Sequence, residues 1–389
     1  MSTLTMNFRV RSDLLRTYMA EHEIGMSILS HASSMFYFTN FSTVVMTGSR
    51  LALVLIEKEK TAILVPDVEA ANAVGFSLEK GHVDEVIKYY EKCVEAPLYT
   101  SPYDILRDQL KGVKEKRIGI EFDACTYEVA QFIRSLGFEL FDITPQVRLQ
   151  RAVKAPDEIE HIRLAASLSA YALDASLKAL RPGITEEELD GTGTRAVAEQ
   201  VKKLGLNVSL KCLGNVLSGP VRTTMPHVRS SSRKIEAGDS LVISRQIGVN
   251  GWEAELERTI FLGEPDQVKK DYYLTVQRAQ MAVIGTTRPG VACNEVDRAA
   301  FTVLKEAGLE QYVIHRSGHG LGVTTHDYPV LSFVETMPIR QGMCFSAEPG
   351  IYVPGVGGFR NSDTIFITES GNEKLTDFPS SLEAMTIPV

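Results

Sequence analysis

The sequence predicts a two-domain α/β protein, on the basis of its length, its globular composition and the alternation of helical and strand-like segments in its first third. The chain has 389 residues, which is more than one simple hydrophobic core normally serves. Hydrophobic residues make up 44% of it, and the formal net charge is -8. No basic run is long enough to neutralise a phosphate backbone, so we expect a small-molecule ligand and no nucleic acid.

The N-terminus and the cysteines indicate a compartment. Residues 1–9 contain no apolar stretch of the kind found in signal sequences, and no later segment approaches a membrane-spanning length. The five cysteines are scattered and include no Cys-x-x-Cys pair, which is typical of reduced structural thiols. We therefore expect a cytoplasmic protein with no membrane partner.

The first 150 residues are predicted to form an α/β domain. Amphipathic and β-branched runs separated by charged turns predict its elements, namely a helix over Asp13–His22, a strand over Gly25–Ser30, paired strands over Leu51–Ile56 and Thr61–Val65, a strand over Arg117–Glu121 and a helix over about Thr126–Leu136. The alternation of element types is what assigns the fold class.

A second domain is predicted over residues 151–389. Pro156 and the acidic residues after it start a helix that continues from Ile159 to Leu173. Thr185 and Glu188 form the pattern of a capping box at the start of the next helix. The Pro-Gly step that precedes this helix recurs about a hundred residues later, which indicates an internal repeat.

One strand carries alternating acidic residues. In residues 252–257 the alternation places Glu253, Glu255 and Glu257 on one face. A solvated strand face would explain this pattern, but the apolar continuation through residues 260–262 favours a buried strand. Buried like charges are costly without a cation among them. A metal ion, an arginine or a cationic substrate would each supply that charge.

Several further residues carry side chains suited to catalysis. His227 lies in a polar loop, where a histidine is usually a surface residue, although its near-neutral pKa suits proton transfer. His319 lies in a glycine-rich turn where a ligand can approach the backbone. Glu348 follows an apolar run, and its alternative interpretation is a structural ion pair with Arg360.

Together these segments resemble a known family. The similarity is carried by residues 238–244, 252–259, 317–322, 347–349 and 358–363. The combination resembles the pita-bread hydrolases, the family of methionine aminopeptidase, prolidase, aminopeptidase P and creatinase. The resemblance implies a creatinase-like N-terminal domain and a pita-bread catalytic domain with internal pseudo-two-fold symmetry.

The resemblance also implies a ligand set. The metallopeptidase members hold two metal ions with Asp, Asp, His, Glu and Glu, and the matching positions here are Ser244, Glu255, His319, Glu348 and Ser362. A neutral hydroxyl is a poor ligand for a divalent cation. We therefore expect no metal and no other cofactor, as in the metal-independent branch typified by creatinase.

Similarity to creatinase implies roles for individual residues. His227 is implied as the acid and base, with Glu257 and Glu348 as catalytic carboxylates that hold a cationic substrate. The remaining substrate contacts implied are His319, His326, Glu255 and Arg360, together with Arg50 from the partner of a homodimer. The region near Arg50 lacks the aromatic residue of creatinase, which argues against creatine itself. His315 has no counterpart and is expected to be structural.

These observations lead to one main hypothesis and two alternatives. The main hypothesis is metal-independent hydrolysis of a non-peptide C–N bond in a small, nitrogen-rich guanidino, amidine or cyclic-amide compound. The first alternative is a metal-dependent Xaa-Pro dipeptidase or aminopeptidase of the same fold, with one ion on Glu255, His319 and Glu348. The second is a non-catalytic binding protein built on a decayed peptidase site.

Overall fold

The structure is a computed structural model that describes residues 7–42, 50–91 and 101–389. Backbone proximity divides the chain into two compact units, one ending at Arg151 and the other running from Ala152 to Val389. Both combine helices with a sheet, which confirms the predicted fold class. Within the described ranges, no helix is both long enough and apolar enough to cross a membrane.

The N-terminal unit is built on a mixed six-stranded sheet with the order β4-β3-β2-β1-β5-β6. Its elements are α1 (Phe8–Glu21), β1 (Ile24–Leu29), α2 (Ala32–Thr39), β2 (Leu53–Glu57), β3 (Thr61–Pro66), α3 (Asp67–Ala73), a π-helical turn (Val74–Leu78), β4 (Glu85–Tyr89), α4 (Pro102–Leu110), β5 (Arg117–Ile120), α5 (Tyr127–Ser135), β6 (Glu139–Asp142) and α6 (Thr144–Ala152).

The elements predicted for this unit are present, with small shifts at their ends. Strands β2 and β3 pair antiparallel, as the charged turn between them predicted. Helix α1 begins earlier than predicted, because Phe8 extends the buried stripe of Leu15 and Met19 by two turns. Thr126 caps α5 by accepting a hydrogen bond from the backbone N–H of Val129.

The C-terminal unit is built on a long sheet with the order β11-β10-β12-β15-β9-β8-β7. Its elements are α7 (Pro156–Ala179), α8 (Glu186–Lys203), β7 (Leu210–Ser218), α9 (Gly219–Arg222), β8 (Ser240–Val249), β9 (Trp252–Leu262), α10 (Gln267–Thr286), α11 (Cys293–Glu306), a 3-10 turn (Glu310–Tyr312), β10 (Gly318–Gly320), β11 (Asp327–Leu331), β12 (Cys344–Ala347), β13 (Gly350–Val353), β14 (Gly357–Arg360), β15 (Ser362–Ile367), β16 (Asn372–Lys374) and β17 (Thr386–Ile387).

The order of elements in this unit recurs. The packed helices α7 and α8 precede strands β7 to β9, and the packed helices α10 and α11 precede strands β10 to β12. The predicted capping box is present, since the Thr185 hydroxyl accepts from the Glu188 backbone N–H and the Glu188 carboxylate accepts from the Thr185 backbone N–H. The second Pro-Gly step leads into α11, as the repeat predicted.

Strand β9 is central to the sheet and is buried along its whole length. It lies between β8 and β15, and both pairings are antiparallel. The interpretation as a solvated face is therefore wrong. Charged side chains of this strand pair with oppositely charged residues of the protein. Glu253 lies 2.6 Å from Lys211, and Arg258 lies 3.0 Å from Asp363.

Candidate active site

Cross-strand pairing places the predicted ligand positions in rows on the sheet. On β9, Glu257 lies opposite Ser244 of β8 and opposite Ser362 of β15. Residues directly opposite each other point their side chains to the same face of a sheet. His319 of β10 likewise lies opposite Ser346 of β12. Register, and not proximity in sequence, assembles the site.

Glycines fix the position of His319. A Cβ atom at Gly318 would lie 2.1 Å from the backbone oxygen of Ser346, and one at Gly320 would lie 2.6 Å from that of Tyr328. Side chains at these positions would push β10 away from its neighbours. The glycines therefore permit close strand packing around the histidine, whereas the sequence suggested close approach of a ligand.

Arg360 neutralises Glu257. Its Nε lies 2.5 Å from Oε2 of Glu257, and its Nη2 donates to Oε1 at 2.7 Å. Burial raises the pKa of Glu257 while Arg360 opposes that rise. Burial acts to lower the pKa of Arg360, but the adjacent Glu257 carboxylate holds it well above its usual range. The result is a two-point ion pair in the sheet interior.

Arg360 continues into a second set of contacts. Its Nη1 donates to the Tyr352 hydroxyl at 3.0 Å, and His315 Nε2 lies 2.8 Å from the same hydroxyl. Burial raises the pKa of Tyr352 to about 12 and lowers that of His315. His315 thus supports the ion pair through Tyr352, in agreement with its expected structural role.

Neutral donors surround Glu255. Its Oε1 accepts hydrogen bonds from the Ser346 and Ser362 hydroxyls, both at 2.9 Å, and its Oε2 accepts from the Gln246 amide at 2.9 Å. The two hydroxyls lie 2.6 Å apart. Burial and then the charge of Glu348 raise the pKa of Glu255. Ser362, at a metal-ligand position of the family, is here a partner of Glu255.

His319 and Glu348 contact each other in the same cluster. His319 Nδ1 lies 3.0 Å from the backbone oxygen of Gly320 and Nε2 lies 3.1 Å from Oε1 of Glu348. Burial acts to lower the pKa of His319, but Glu348 raises it to about 9. Burial acts conversely to raise the pKa of Glu348, and His319 holds it well below its usual range.

Two exposed histidines border this pair. The ring of His326 lies 4.1 Å, centroid to centroid, from that of His319, and the ring of His227 lies 6.5 Å from that of His326. Partial burial and then the charge of His319 lower the pKa of His326 to about 4. Both rings are exposed, so they can exchange protons with solvent.

Most of the predicted site residues are therefore neighbours. The cluster contains Glu255, Glu257, His319, His326, Glu348 and Arg360, with His227 beside it. Arg50 belongs to the N-terminal unit, where its Nε lies 3.1 Å from Glu91, and residues 45–49 before it are outside the described residues. Its role at a partner's pocket stays a prediction.

The sequence interpretation missed Ser346, Gln246 and Tyr352. Ser346 precedes Glu348 by two residues and Tyr352 follows it by four. The only signal for Ser346 was strand alternation, which places it near the same face as Glu348. The alternative pairing of Glu348 with Arg360 is not observed, because Arg360 contacts Glu257 and Glu348 contacts His319.

The cluster does not fit the two-ion arrangement of the family but does fit one ion. Ser362 is engaged with Glu255, and the Ser244 hydroxyl is buried with no hydrogen bond to the described residues. His319 Nε2 is also buried without a well-aligned hydrogen bond among those residues, and it lies against Glu348. An imidazole nitrogen and a carboxylate oxygen so placed are suitable donors for a divalent cation.

The fold and the cluster define a two-domain protein with a buried histidine–carboxylate centre in its C-terminal sheet. Residues 160–369 match the pattern of metallopeptidase family M24, and residues 11–153 match the creatinase/prolidase N-terminal domain. The first match covers more than half of the chain. The chain therefore belongs to metallopeptidase family M24, and the resemblance found in the sequence is confirmed.

Similar proteins are named as peptidases. An Xaa-Pro dipeptidase of Pyrococcus furiosus is 26% identical over 367 residues, which cover 94% of this chain and 97% of the relative. A solved Xaa-Pro dipeptidase from Bacillus anthracis superposes with a TM-score of 0.82 at 27% identity, covering 98% of this chain and 100% of that one. Dipeptidase PepE from Mycobacterium ulcerans gives a TM-score of 0.85 at 26% identity and 98% coverage of both chains.

These findings correct the functional hypothesis. The expectation of a creatinase-like amidinohydrolase acting on a non-peptide C–N bond is wrong, because the similar proteins are named Xaa-Pro dipeptidases and prolidases. A physical reason agrees with the correction. Glu257 was expected to hold a cationic substrate, but its carboxylate already has a two-point contact with Arg360, which a substrate cation would have to displace.

Proposed function

We propose that the chain is a metal-dependent peptidase that releases proline from Xaa-Pro dipeptides. The observation that carries the proposal is the contact of His319 Nε2 with Glu348 Oε1 at 3.1 Å, in a chain whose relatives are named for this activity. His319 and Glu348 would hold one divalent ion. The proposed substrate is thus a dipeptide and not the nitrogen-rich compound expected from the sequence. We also propose that the protein is a homodimer in the cytoplasm, as the sequence led us to expect.

The ion, when bound, would polarise the peptide carbonyl and lower the pKa of the attacking water. The chain's own residues supply orientation and proton transfer. His319 Nδ1–H donates to the Gly320 carbonyl, which fixes the ring and directs Nε2 towards Glu348. Arg360 is held by Glu257 and Tyr352, so its charge is fixed within the cluster without side-chain reorganisation.

His227 is the proposed proton carrier. It is exposed, and its ring lies 6.5 Å from that of His326 at the border of the cluster. An exposed imidazole in this place can give a proton to the leaving proline nitrogen and recover one from solvent. Release of a secondary amine requires such a proton, because an amide anion is a very poor leaving group.

The test is proline release by metal-loaded protein. The purified chain is stripped with a chelator and reloaded separately with Zn²⁺, Mn²⁺ or Co²⁺. It is then assayed on several Xaa-Pro dipeptides, with the reversed Pro-Xaa dipeptides as controls. We expect release from the Xaa-Pro series with at least one metal, loss of activity on chelation, and a decrease of about 100-fold or more in Glu348→Gln, because a direct metal ligand is removed.

A matched variant controls for the charge change. Glu373→Gln removes an exposed carboxylate paired with Arg163 in the same unit, so its activity should equal that of the parent. Failure to release proline under every metal condition would overturn the proposal. Peptide binding without hydrolysis would instead support the non-catalytic alternative, which the neutral serines at two family ligand positions favour.

A further inference from the structure

The third metal ligand is ambiguous in the cluster. In the part of the chain that the structure describes, two groups of three residues place their donor atoms within 4.8 Å of one another, namely His319, His326 and Glu348, and Glu255, Glu257 and Glu348. The family positions suggest a third combination, Glu255 with His319 and Glu348. The choice depends on which side chains still have a lone pair free for a cation.

Glu257 is unavailable. The Arg360 guanidinium contacts both of its oxygens, at 2.5 and 2.7 Å. A metal ion on either oxygen would lie against a fixed positive charge in a buried place, where like charges repel strongly. Coordination by Glu257 would require the ion pair to separate.

Glu255 is also engaged. Two hydroxyls donate to one of its oxygens and an amide donates to the other, all at 2.9 Å. The hydroxyl of Ser362 is itself one of these donors, so the family ligand position now satisfies Glu255 from within the protein. Three of the roughly four acceptor positions of this carboxylate are therefore occupied, so an ion on Glu255 would compete with hydrogen bonds in a buried site, where unmade hydrogen bonds are expensive.

Ligand atoms remain available on a second group of residues, in contrast to Glu255 and Glu257. This group consists of His319, His326 and Glu348. His319 Nδ1 is engaged with a backbone carbonyl, the second contact typical of metal-binding histidines, and this leaves Nε2 as the donor. Nε2 is buried, lacks a well-aligned hydrogen bond to the described residues and lies 3.1 Å from Glu348. The His326 ring lies 4.1 Å from that of His319 and is exposed, so it has room to turn towards the same point.

We propose that one divalent ion is bound by His319, His326 and Glu348, with Glu255 outside its coordination shell. Two histidines and one glutamate are a known set for hydrolytic zinc, which keeps its fourth position open for water or substrate. The exposed side of His326 provides that opening. This inference rests on the proposed function only in taking His319 and Glu348 as ligands of a resident ion.

The test compares two single variants by metal affinity. Zn²⁺ binding to the full chain is measured by titration calorimetry and by elemental analysis after dialysis. We expect His326→Ala to weaken Zn²⁺ binding by about 100-fold or more, since a direct ligand is lost, and Glu255→Gln to change it by less than about 3-fold. His31→Ala, which removes an exposed histidine of the N-terminal unit, is the matched control.

A spectroscopic readout separates coordination from structural damage. Co²⁺ replaces Zn²⁺, and its visible absorption should change in His326→Ala and in His326→Asn, with unchanged far-ultraviolet circular dichroism. Loss of Zn²⁺ binding in Glu255→Gln, or full binding in both His326 variants, would overturn the inference. Zn²⁺ binding that depends on His326 in a protein without proline release would retain the inference and remove the proposed function.

Discussion

The two sides of the cluster treat their carboxylates differently. On β9, Glu255 and Glu257 are satisfied by protein donors, three neutral ones for Glu255 and an arginine for Glu257. On the opposite side, the Glu348 carboxylate contacts only a histidine among the hydrogen bonds and ion pairs found in the described residues. Protein donors thus occupy the glutamate carboxylates on β9, whereas the carboxylate of Glu348 keeps acceptor positions available. A carboxylate at a ligand position is a ligand only if its neighbours leave it free.

The largest expected effect on stability comes from removing Arg360, the cation paired with Glu257. Arg360→Met leaves the buried Glu257 carboxylate without its cation, and breaking one partner of a buried ion pair typically costs about 3–5 kcal/mol. Trp252 is the only tryptophan of the chain and is buried in β9, so its fluorescence reports the free energy of unfolding of the C-terminal unit in denaturant.

The control for this variant is an exposed pair. Arg163→Met removes the partner of Glu373 on the surface, and such pairs contribute about 0–1 kcal/mol. Adding Glu257→Leu to Arg360→Met should recover much of the lost stability, because no buried charge is then left unpaired. Equal losses in Arg360→Met and Arg163→Met would show that Glu257 does not depend on its arginine.

A buried carboxylate of the N-terminal unit sharpens the comparison. Glu121 is buried, and its Oε1 accepts from the Ser34 hydroxyl at 2.7 Å, while its Oε2 has no hydrogen bond among the described residues. Burial raises its pKa from 4.5 to about 7. The folded state therefore keeps a proton that the unfolded state releases, so the stability is fully present below pH 4.5 and is lost as pH rises towards 7.

Glu121→Gln should remove this pH dependence. Between pH 5 and pH 8 the parent should lose about 2–3 kcal/mol of local stability, and the variant should lose much less, since glutamine does not titrate. Amide hydrogen exchange in strand β5, which ends next to Glu121, measures this local stability at each pH. Glu139→Gln, an exposed change in the same unit, should behave as the parent does. An unchanged slope in Glu121→Gln would mean that Glu121 is ionised in the folded protein.

Local patterns predicted the local elements of the fold. The capping box of Thr185 and Glu188 and the paired strands β2 and β3 depend on residues close in sequence, and both are as predicted. The whole of β9 was recognisable as a buried strand because its apolar continuation is local as well.

The contacts of the site were less predictable. An ion pair of Arg360 with Glu348 was the alternative interpretation, but Arg360 contacts Glu257, because the register of β15 against β9 decides which side chains meet. The hydroxyls on Glu255 depend on that register too. Serine at two ligand positions indicated a loss of metal, but the sequence could not show that His319 Nε2 and Glu348 still face each other.

The two serines at family ligand positions give the smallest and most selective test. Ser362 donates to Glu255 and lies 2.6 Å from the Ser346 hydroxyl, so Ser362→Ala should cost about 1–2 kcal/mol through a lost hydrogen bond to a buried carboxylate. The Ser244 hydroxyl is buried without a hydrogen bond to the described residues. Ser244→Ala should therefore leave stability unchanged or raise it by up to about 1 kcal/mol, because an unpaired buried hydroxyl is removed. Denaturant unfolding followed by Trp252 fluorescence compares the two variants directly. Equal losses of stability in the two variants would contradict a specific contribution of the hydrogen bond from Ser362 to Glu255.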